Sequence, residues 1–216
     1  MDKGYNIFKG QLIEVISLYP NLEIKTDINE LLYIKGILDI PNDAGEITGN
    51  FLIEVHYQLG FPFRFPKLYE TGGIIPCDPD WHKYSDESCC ITVLPDEILE
   101  CKRGIMVADF IRKFAVPYFA NHLYRVKEGK YLNGEYAHGA PGLVQFYETL
   151  LLTSNKTIWI DYYKYAFQNK KIPCGRNDAC LCGSGRKFKH CHSDVFHKFR
   201  MIGGEQVIAN FKLITQ

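Results

Sequence analysis

The sequence predicts an α+β fold in which helices flank an antiparallel sheet. Apolar side chains recur at helical spacing along residues 5–19 and form one stripe, which is typical of an amphipathic helix. Apolar and polar residues then alternate in three segments, 22–26, 32–40 and 50–57, as expected of strands. Helical spacing returns at residues 105–124. The order helix, strand meander, long loop and helices is typical of an α+β layout with an antiparallel sheet.

The limits of these elements follow from residues that stop or restrict regular structure. Pro20 ends the first helix. Two prolines within residues 61–66 exclude a central strand and favour an extended, edge-like run. Residues 69–101 are rich in glycine, proline and aspartate, and a long ordered loop inside a compact domain is more often functional than idle. Further helices are expected at residues 142–151 and 156–168.

Composition narrows the class of protein. The 25 basic and 25 acidic residues give a formal net charge of zero, which argues against nucleic acid as the main partner. No apolar run is long enough to span a bilayer, and the N-terminus lacks the layout of a signal peptide, so we expect a cytoplasmic protein. Its eight cysteines should then be reduced and serve metal binding or catalysis rather than disulfides.

Residues 174–192 combine thiol and imidazole side chains in a segment rich in glycine and lysine. Thiolate and imidazole are the ligands that zinc prefers, and four of them close a structural site. Gly183 and Gly185 can adopt the positive φ values that fold the chain back on itself. Buried thiols unrelated to a metal are the alternative, but this Gly/Lys-rich segment has no apolar core for them to join. The expected zinc ligands are Cys180, Cys182, Cys191 and His192.

The segment GRNDACLCGSGRKFKHCH resembles the SEC-C motif, a short zinc-binding tail found on many bacterial proteins. The resemblance implies the same four ligands and leaves Cys174 outside the motif as a spare thiol. It also implies that the tail mediates protein contacts, so the motif does not identify a reaction. A piece this small has too little core to fold without its metal. We therefore expect a zinc-binding module at residues 169–216.

Residues 5–150 resemble the ubiquitin-conjugating enzyme fold at three places. Residues 49–66 are similar to that family's third strand and the Tyr-Pro-Phe-x-x-Pro turn that follows it. His82 stands where the family has the histidine of its His-Pro-Asn tripeptide. The segment Ser-Cys-Cys-Ile-Thr-Val-Leu at residues 88–94 is similar to the active-site segment, with Cys90 on the thioester cysteine. The resemblance implies a ubiquitin-conjugating-like catalytic domain at residues 1–168.

The sequence also departs from the eukaryotic members of that family. Lys83 and Tyr84 replace the proline and asparagine, so the asparagine thought to stabilise the oxyanion is missing. The spacing from His82 to the cysteine pair is slightly short, which leaves Cys89 as the alternative nucleophile. The pair His138-Gly139 resembles bacterial relatives instead. The combination looks most like the enzymes of short type II CBASS antiphage operons, which join the C-terminus of a cGAS-like nucleotidyltransferase to a target.

The function that this resemblance implies is that of an acyltransferase with a cysteine thioester intermediate. Its expected catalytic residues are Cys90, Cys89, His82 and His138, with His138 as a base or an oxyanion donor. Each has a plain structural alternative, because free cysteine is often buried and both histidines suit packed or turn positions. An inactive binding module of the same fold and a cysteine-dependent hydrolase stay open. The hydrolase needs a third group to orient its histidine, and no spacing supplies one.

Overall fold

The computed structural model describes residues 2–131, 137–168, 172 and 174–215. Within these, residues up to 92 and from 100 to 131 form one compact unit, whereas residues 93–99 and those from 137 onward form another. Each unit has its own cluster of buried apolar side chains. The units do not divide at residue 168, where the sequence placed the boundary. The helices at residues 140–151 and 156–167 precede that position but belong to the second unit.

The first unit contains a four-stranded antiparallel sheet in the order β1-β2-β3-β4. Alternate residues of β2 and β3 are buried, which makes one face of the sheet apolar. Helix α1 buries one stripe of its side chains in the same core, so the predicted helix and meander are confirmed. The bounds are α1 Lys3–Leu18, β1 Leu22–Thr26, β2 Leu32–Pro41, β3 Ile47–His56 and β4 Lys67–Glu70.

The expected extended run at residues 61–66 is wrong, because the chain makes turns there instead. Phe61 and Phe65 are buried while Phe63 between them is 61% exposed, so the segment anchors in the core at two points. Prolines donate no backbone hydrogen bond, which prevents the segment from pairing with β3. Pairing begins immediately afterwards with β4, whose last two residues lie in the region that the sequence predicts to be a loop.

A long helical stretch completes the first unit and confirms the helix expected at residues 105–124. It consists of α3 (Val107–Phe110), one π-helical turn (Ile111–Ala115) and α4 (Val116–Glu128). Its aromatic side chains pack under the sheet, as where the Phe119 ring stacks on Phe51 with centroids 4.4 Å apart. Gly129, in the left-handed conformation with φ of 74°, ends α4.

The second unit is helical and has a core made largely of aromatic rings. The Tyr147 ring lies 5.2 Å from that of Phe211 and 6.2 Å from that of Phe199, so α5 (Ala140–Leu151) packs with the two C-terminal helices. Trp159 of α6 (Lys156–Phe167) also contacts Phe211, with ring centroids 6.1 Å apart, so both helices share the core of the C-terminal helices. The helices are α2 (Leu94–Glu100), α5 (Ala140–Leu151), α6 (Lys156–Phe167), α7 (Ser193–Ile202) and α8 (Gly204–Ile214). Among the described residues, no helix is both long and apolar enough to cross a membrane.

Candidate active site and metal centre

A short hairpin in the first unit carries the cysteine pair. Lys83 pairs with Cys89 in an antiparallel bridge, and the Cys90 amide donates to the His82 carbonyl oxygen at 2.7 Å. The Tyr84 amide donates to the Ser88 carbonyl oxygen at 2.9 Å, which closes the hairpin on its other side. The Cys89 amide also donates to a carbonyl oxygen of β4 at 2.8 Å. The hairpin is therefore fixed to the edge of the sheet.

Alternation along this hairpin gives the two cysteines different surroundings. Adjacent side chains of an extended segment point to opposite faces. Cys89 lies opposite Lys83, which is 1% exposed, so the pair occupies the inner face. Burial raises the pKa of the Cys89 thiol to about 12, against smaller lowering effects of the Tyr118 hydroxyl and Lys83. Cys90 is partly exposed, and its Sγ accepts a hydrogen bond from the Tyr84 hydroxyl at 3.2 Å.

Asp86 stabilises the turn of the hairpin. Its carboxylate accepts hydrogen bonds from the Ser88 amide at 3.1 Å and the Ser88 hydroxyl at 2.5 Å. It also accepts one from the Lys67 ammonium group on β4 at 2.8 Å. The bonds from Lys67 and Ser88 lower the pKa of Asp86 to about 2. The polar stretch before the cysteines is thus an ordered turn rather than a loose loop.

His82 contacts Cys90 through its backbone. The residue is in the left-handed conformation (φ 52°, ψ 36°), and its carbonyl oxygen accepts from both the Cys90 amide and the Tyr118 hydroxyl, the latter at 2.8 Å. Its ring packs edge-on against Tyr131 with centroids 5.3 Å apart. The structure therefore brings His82 and Cys90 together through a backbone hydrogen bond, in which the His82 carbonyl oxygen is the acceptor.

A buried histidine that no sequence motif indicated lies in the same region. His122 on α4 is 2% exposed, and its ring stacks on Trp81 with centroids 6.3 Å apart. Burial, together with neighbouring positive charges, lowers the pKa of His122 to about 3. Its Nε2 atom is buried without a hydrogen-bond partner among the described residues. The uncharged imidazole is thus packed among the rings of Trp81, Tyr118 and Tyr131.

His138 belongs to the second unit, where it precedes the N-terminus of α5. The geometry that the first unit builds around Cys90 therefore does not test the expected role of His138. Of the four expected catalytic residues, the first unit brings together Cys89, Cys90 and His82. Sequence reasoning missed Tyr84 and Tyr118 as contacts, because both depend on the pairing of the hairpin and on a helix distant along the chain.

The second unit gathers the four expected ligands into one cluster. Its ligand atoms all lie within 4.8 Å of one another, which is the spacing that a single metal ion needs. His192 Nδ1 lies 3.3 Å from Cys180 Sγ and 3.1 Å from Cys191 Sγ, and Cys182 Sγ lies 3.6 Å from Cys191 Sγ. Cys174 is outside the group, as expected from the motif.

The chain around the cluster folds back as the glycines predict. Gly183 and Gly185 have φ values of 76° and 72°, and the Cys180 amide donates to the Arg186 carbonyl oxygen at 2.8 Å. Beyond the cluster, His192 Nε2 lies 2.6 Å from the Leu151 carbonyl oxygen at the end of α5. A hydrogen bond there leaves Nδ1 without a proton and turned towards the three sulfur atoms. The cluster is thus joined to the helical core of its unit.

Comparison with known proteins finds the SEC-C motif at residues 176–194. The chain is also similar to the protein translocase subunit SecA of Ruthia magnifica subsp. Calyptogena magnifica, with 62% identity over 26 residues. That stretch is 12% of this chain and 3% of SecA. No solved structure matches the chain. The C-terminal unit therefore carries a SEC-C motif with a Cys/His cluster compatible with a metal ion.

Proposed function

We propose that the protein is an acyl carrier of the ubiquitin-conjugating type that forms a thioester on Cys90. The observation that carries the proposal is the orientation of the two cysteines in the hairpin. Both residues are partly exposed, but Cys90 accepts a hydrogen bond from the Tyr84 hydroxyl, whereas Cys89 packs against the core opposite the buried Lys83. An acyl carrier needs one accessible nucleophilic thiol on a rigid support, and Cys90 meets this requirement better than Cys89.

The arrangement of the first unit supports the same proposal. Its order is one helix, a four-stranded antiparallel meander, a long loop with the cysteines, and then helices. This is the order that the resemblance to ubiquitin-conjugating enzymes implies. The hairpin is bonded to the outermost strand, β4, so the sheet gives Cys90 a rigid support.

The proposed loading reaction is a thiol–thioester exchange. The Cys90 thiolate attacks the carbonyl carbon of a partner's C-terminal thioester, a new C–S bond forms, and the old C–S bond breaks to release the donor's thiolate. Such exchange between similar thiols needs little help from a base. In the next step an amine of the target attacks the Cys90 thioester. His138 is proposed for that step as a base or an oxyanion donor, a role that its place in the second unit leaves open to test.

The resemblance to bacterial relatives extends the proposal to a partner and a setting. We propose that the acyl donor is the C-terminus of a protein, a cGAS-like nucleotidyltransferase in a short type II CBASS antiphage operon. The sequence features behind this extension are the His138-Gly139 pair and the attached SEC-C motif. The balanced net charge agrees with a protein partner rather than a nucleic acid.

We further propose that the metal of the second unit is zinc in a structural role. Three thiolates and one imidazole are a set that zinc prefers, and four protein ligands leave no position for a substrate. Ligands about 2.0–2.3 Å from a tetrahedral zinc lie about 3.5–3.8 Å apart. Separations of 3.1, 3.3 and 3.6 Å between neighbouring ligand atoms, with all four atoms within 4.8 Å of one another, surround that size, so small side-chain adjustments would complete the tetrahedron. Residues holding the ion would be Cys180, Cys182, Cys191 and His192.

The acyl-carrier proposal is tested by mass spectrometry on protein purified with the products of its neighbouring genes. We expect an adduct that is released by thiols and maps to Cys90. Cys90→Ala should abolish it, whereas Cys77→Ala should retain it, because Cys77 is an exposed thiol outside the hairpin. An unmodified protein under these conditions would favour the inactive binding module. Release of a partner with a free C-terminal acid, with no product joined to a target, would favour a hydrolase.

A further inference from the structure

The side chain of Tyr84 contacts Cys90, the proposed nucleophile. It lies diagonally across the hairpin from Cys90, and its hydroxyl donates to Cys90 Sγ at 3.2 Å. The Tyr84 backbone is fixed on both sides, since its amide donates to Ser88 at 2.9 Å and its carbonyl oxygen accepts from Glu87 at 3.0 Å. These bonds fix the backbone from which the Tyr84 side chain projects, and the hydrogen bond to Cys90 Sγ holds its hydroxyl beside the nucleophile.

We propose that the Tyr84 hydroxyl is a catalytic hydrogen-bond donor to the oxyanion formed when the thioester on Cys90 is attacked. The inference rests on the proposed function and concerns the same site. A thioester carbonyl oxygen is separated from its sulfur by a single carbon atom. A donor within 3.2 Å of that sulfur therefore reaches the oxygen by a small rotation of the tyrosine side chain. Such donors stabilise the tetrahedral intermediate of acyl transfer.

Discharge of the Cys90 thioester needs only the acceptor amine and water. The lone pair of the target amine forms a C–N bond to the thioester carbon, and the C=O π electrons move to the oxygen, where the Tyr84 O–H donates to them. The C=O bond then re-forms, the C–S bond breaks, and Cys90 leaves as a thiolate. The amine proton passes to water. Tyr84 keeps its proton throughout, since it donates a hydrogen bond and does not transfer the proton.

Two further observations agree with this role. Burial, and then the hydrogen bond to Cys90, raise the pKa of Tyr84 above its ordinary value, so the phenol remains a donor at neutral pH. A second tyrosine near the pair, Tyr118, donates to the His82 carbonyl oxygen at 2.8 Å. Tyr118 is therefore bound to the backbone of the hairpin, and Tyr84 is the tyrosine directed at the reacting sulfur.

The test loads the full-length protein chemically, so that no activating enzyme is needed. The probe is a glycine-ended peptide thioester of mercaptoethanesulfonate, and free lysine is the acceptor for discharge. Tyr84→Phe should slow both acylation of Cys90 and discharge to lysine by about 10- to 100-fold. Alkylation of Cys90 by iodoacetamide, which forms no oxyanion, should change by less than about threefold. Tyr33→Phe is the control, because that ring stacks on His56 at 4.3 Å, away from the hairpin.

The outcomes separate this inference from the proposed function. If the wild-type protein is not acylated on Cys90 at all, the acyl-carrier proposal is wrong and this inference falls with it. If the wild type is acylated and discharged but Tyr84→Phe reacts at the same rates, Tyr84 is not the donor and the carrier proposal stands. If alkylation falls as much as acylation, Tyr84 acts on the sulfur alone, which also overturns the oxyanion role. Unchanged thermal unfolding of the variant excludes loss of fold as the cause.

Discussion

The ammonium nitrogen of Lys83 lies 2.7 Å from a carboxylate oxygen of Glu70, and the two side chains are 1% and 0% exposed. Lys83 Nζ also donates to the Ile75 carbonyl oxygen at 3.1 Å, and the Glu70 carboxylate accepts from the amides of Ile74 and Ile75 at 3.3 Å. Each buried charge thus has further partners, as such pairs require. Because Glu70 ends β4 and Lys83 begins the hairpin, the pair joins the candidate site to the sheet.

Lys83→Met should destabilise the first unit by about 3–5 kcal/mol, because it leaves the Glu70 carboxylate buried without its counter-ion. The measurement is urea unfolding followed by Trp81 fluorescence in a Trp159→Phe background, which removes the chain's second tryptophan. Glu70→Gln combined with Lys83→Met should recover about 1–3 kcal/mol relative to the sum of the single changes.

Lys67→Met is the matched control for that experiment. Lys67 pairs with Asp86 at 2.8 Å, but its side chain is 39% exposed and that of Asp86 54% exposed. Removing an exposed pair should cost less than about 1 kcal/mol. Equal costs at Lys67 and Lys83 would contradict the buried pair as the anchor of the hairpin.

Cys89 should be a slow thiol in the folded protein. Its pKa is raised to about 12 by burial, so little thiolate is present near neutral pH. In a Cys90→Ala background, alkylation of Cys89 should be at least about tenfold slower than that of the exposed Cys77, and the difference should vanish in denaturant. Peptide mapping reports both thiols in one sample. Fast native labelling of Cys89 would place it on the open face of the hairpin instead.

His122 should make the first unit less stable in acid. Its pKa is about 3 in the folded protein against an ordinary value of 6.5, so the unfolded chain binds the extra proton between these values. Stability should therefore fall as pH decreases from 6.5 towards 3, by up to about 1.4 kcal/mol per pH unit. His122→Phe keeps a ring stacked on Trp81 and should remove this part of the slope. His56→Gln, which changes a partly exposed imidazole, should retain it.

Measuring the free energy of unfolding at several pH values in the Trp159→Phe background checks the His122 prediction. An acid slope that is the same in wild type and His122→Phe would show that another group causes it.

Metal removal should destabilise the second unit specifically. The cluster is bonded to α5 through His192 and Leu151, and the Tyr162 hydroxyl on α6 lies 3.8 Å from Cys180 Sγ. Zinc analysis should give about one ion per chain, and a chelator should lower the unfolding midpoint reported by Trp159 in a Trp81→Phe background. Cys182→Ser should abolish bound zinc, whereas Cys174→Ser should keep it. Metal-free protein from zinc-replete cells would contradict the site.

Much of the first unit was predictable because its core follows simple periodicity. The stripe on α1 and the alternation in β2 and β3 are visible in the sequence. Strand β4 was hidden for a physical reason: its inward positions are Leu68 and Glu70, and a glutamate breaks the apolar alternation. Its partner Lys83 is 13 residues away and also polar. In the sequence alone, segments that contain the two charged residues of a buried ion pair cannot be distinguished from polar loops.

The residue types of the metal cluster and of the cysteine site were predictable from the sequence, but the directions in which Cys89 and Cys90 point were not. Ligand types and spacing, together with the resemblance to the SEC-C motif, identified the four members of the metal cluster. The choice between Cys89 and Cys90 depends on which residue pairs with Lys83, and pairing across a turn is not encoded by local pattern. The contact of Tyr84 with Cys90 follows from the same pairing. The sequence likewise predicted α5 and α6 as helices but could not show that their aromatic faces pack with α7 and α8.

The most direct measurement for the central claim is a trapping experiment with Cys90→Ser and Cys89→Ser in cells that also express the neighbouring genes. An oxyester replaces the thioester when serine stands at the acylated position, and it resists thiols but is cleaved by hydroxylamine. We predict that Cys90→Ser accumulates such an adduct with the C-terminus of a protein partner, whereas Cys89→Ser carries only a thiol-sensitive one. A stable adduct in Cys89→Ser alone, or no adduct in either variant or the wild type, would contradict Cys90 as the acyl carrier.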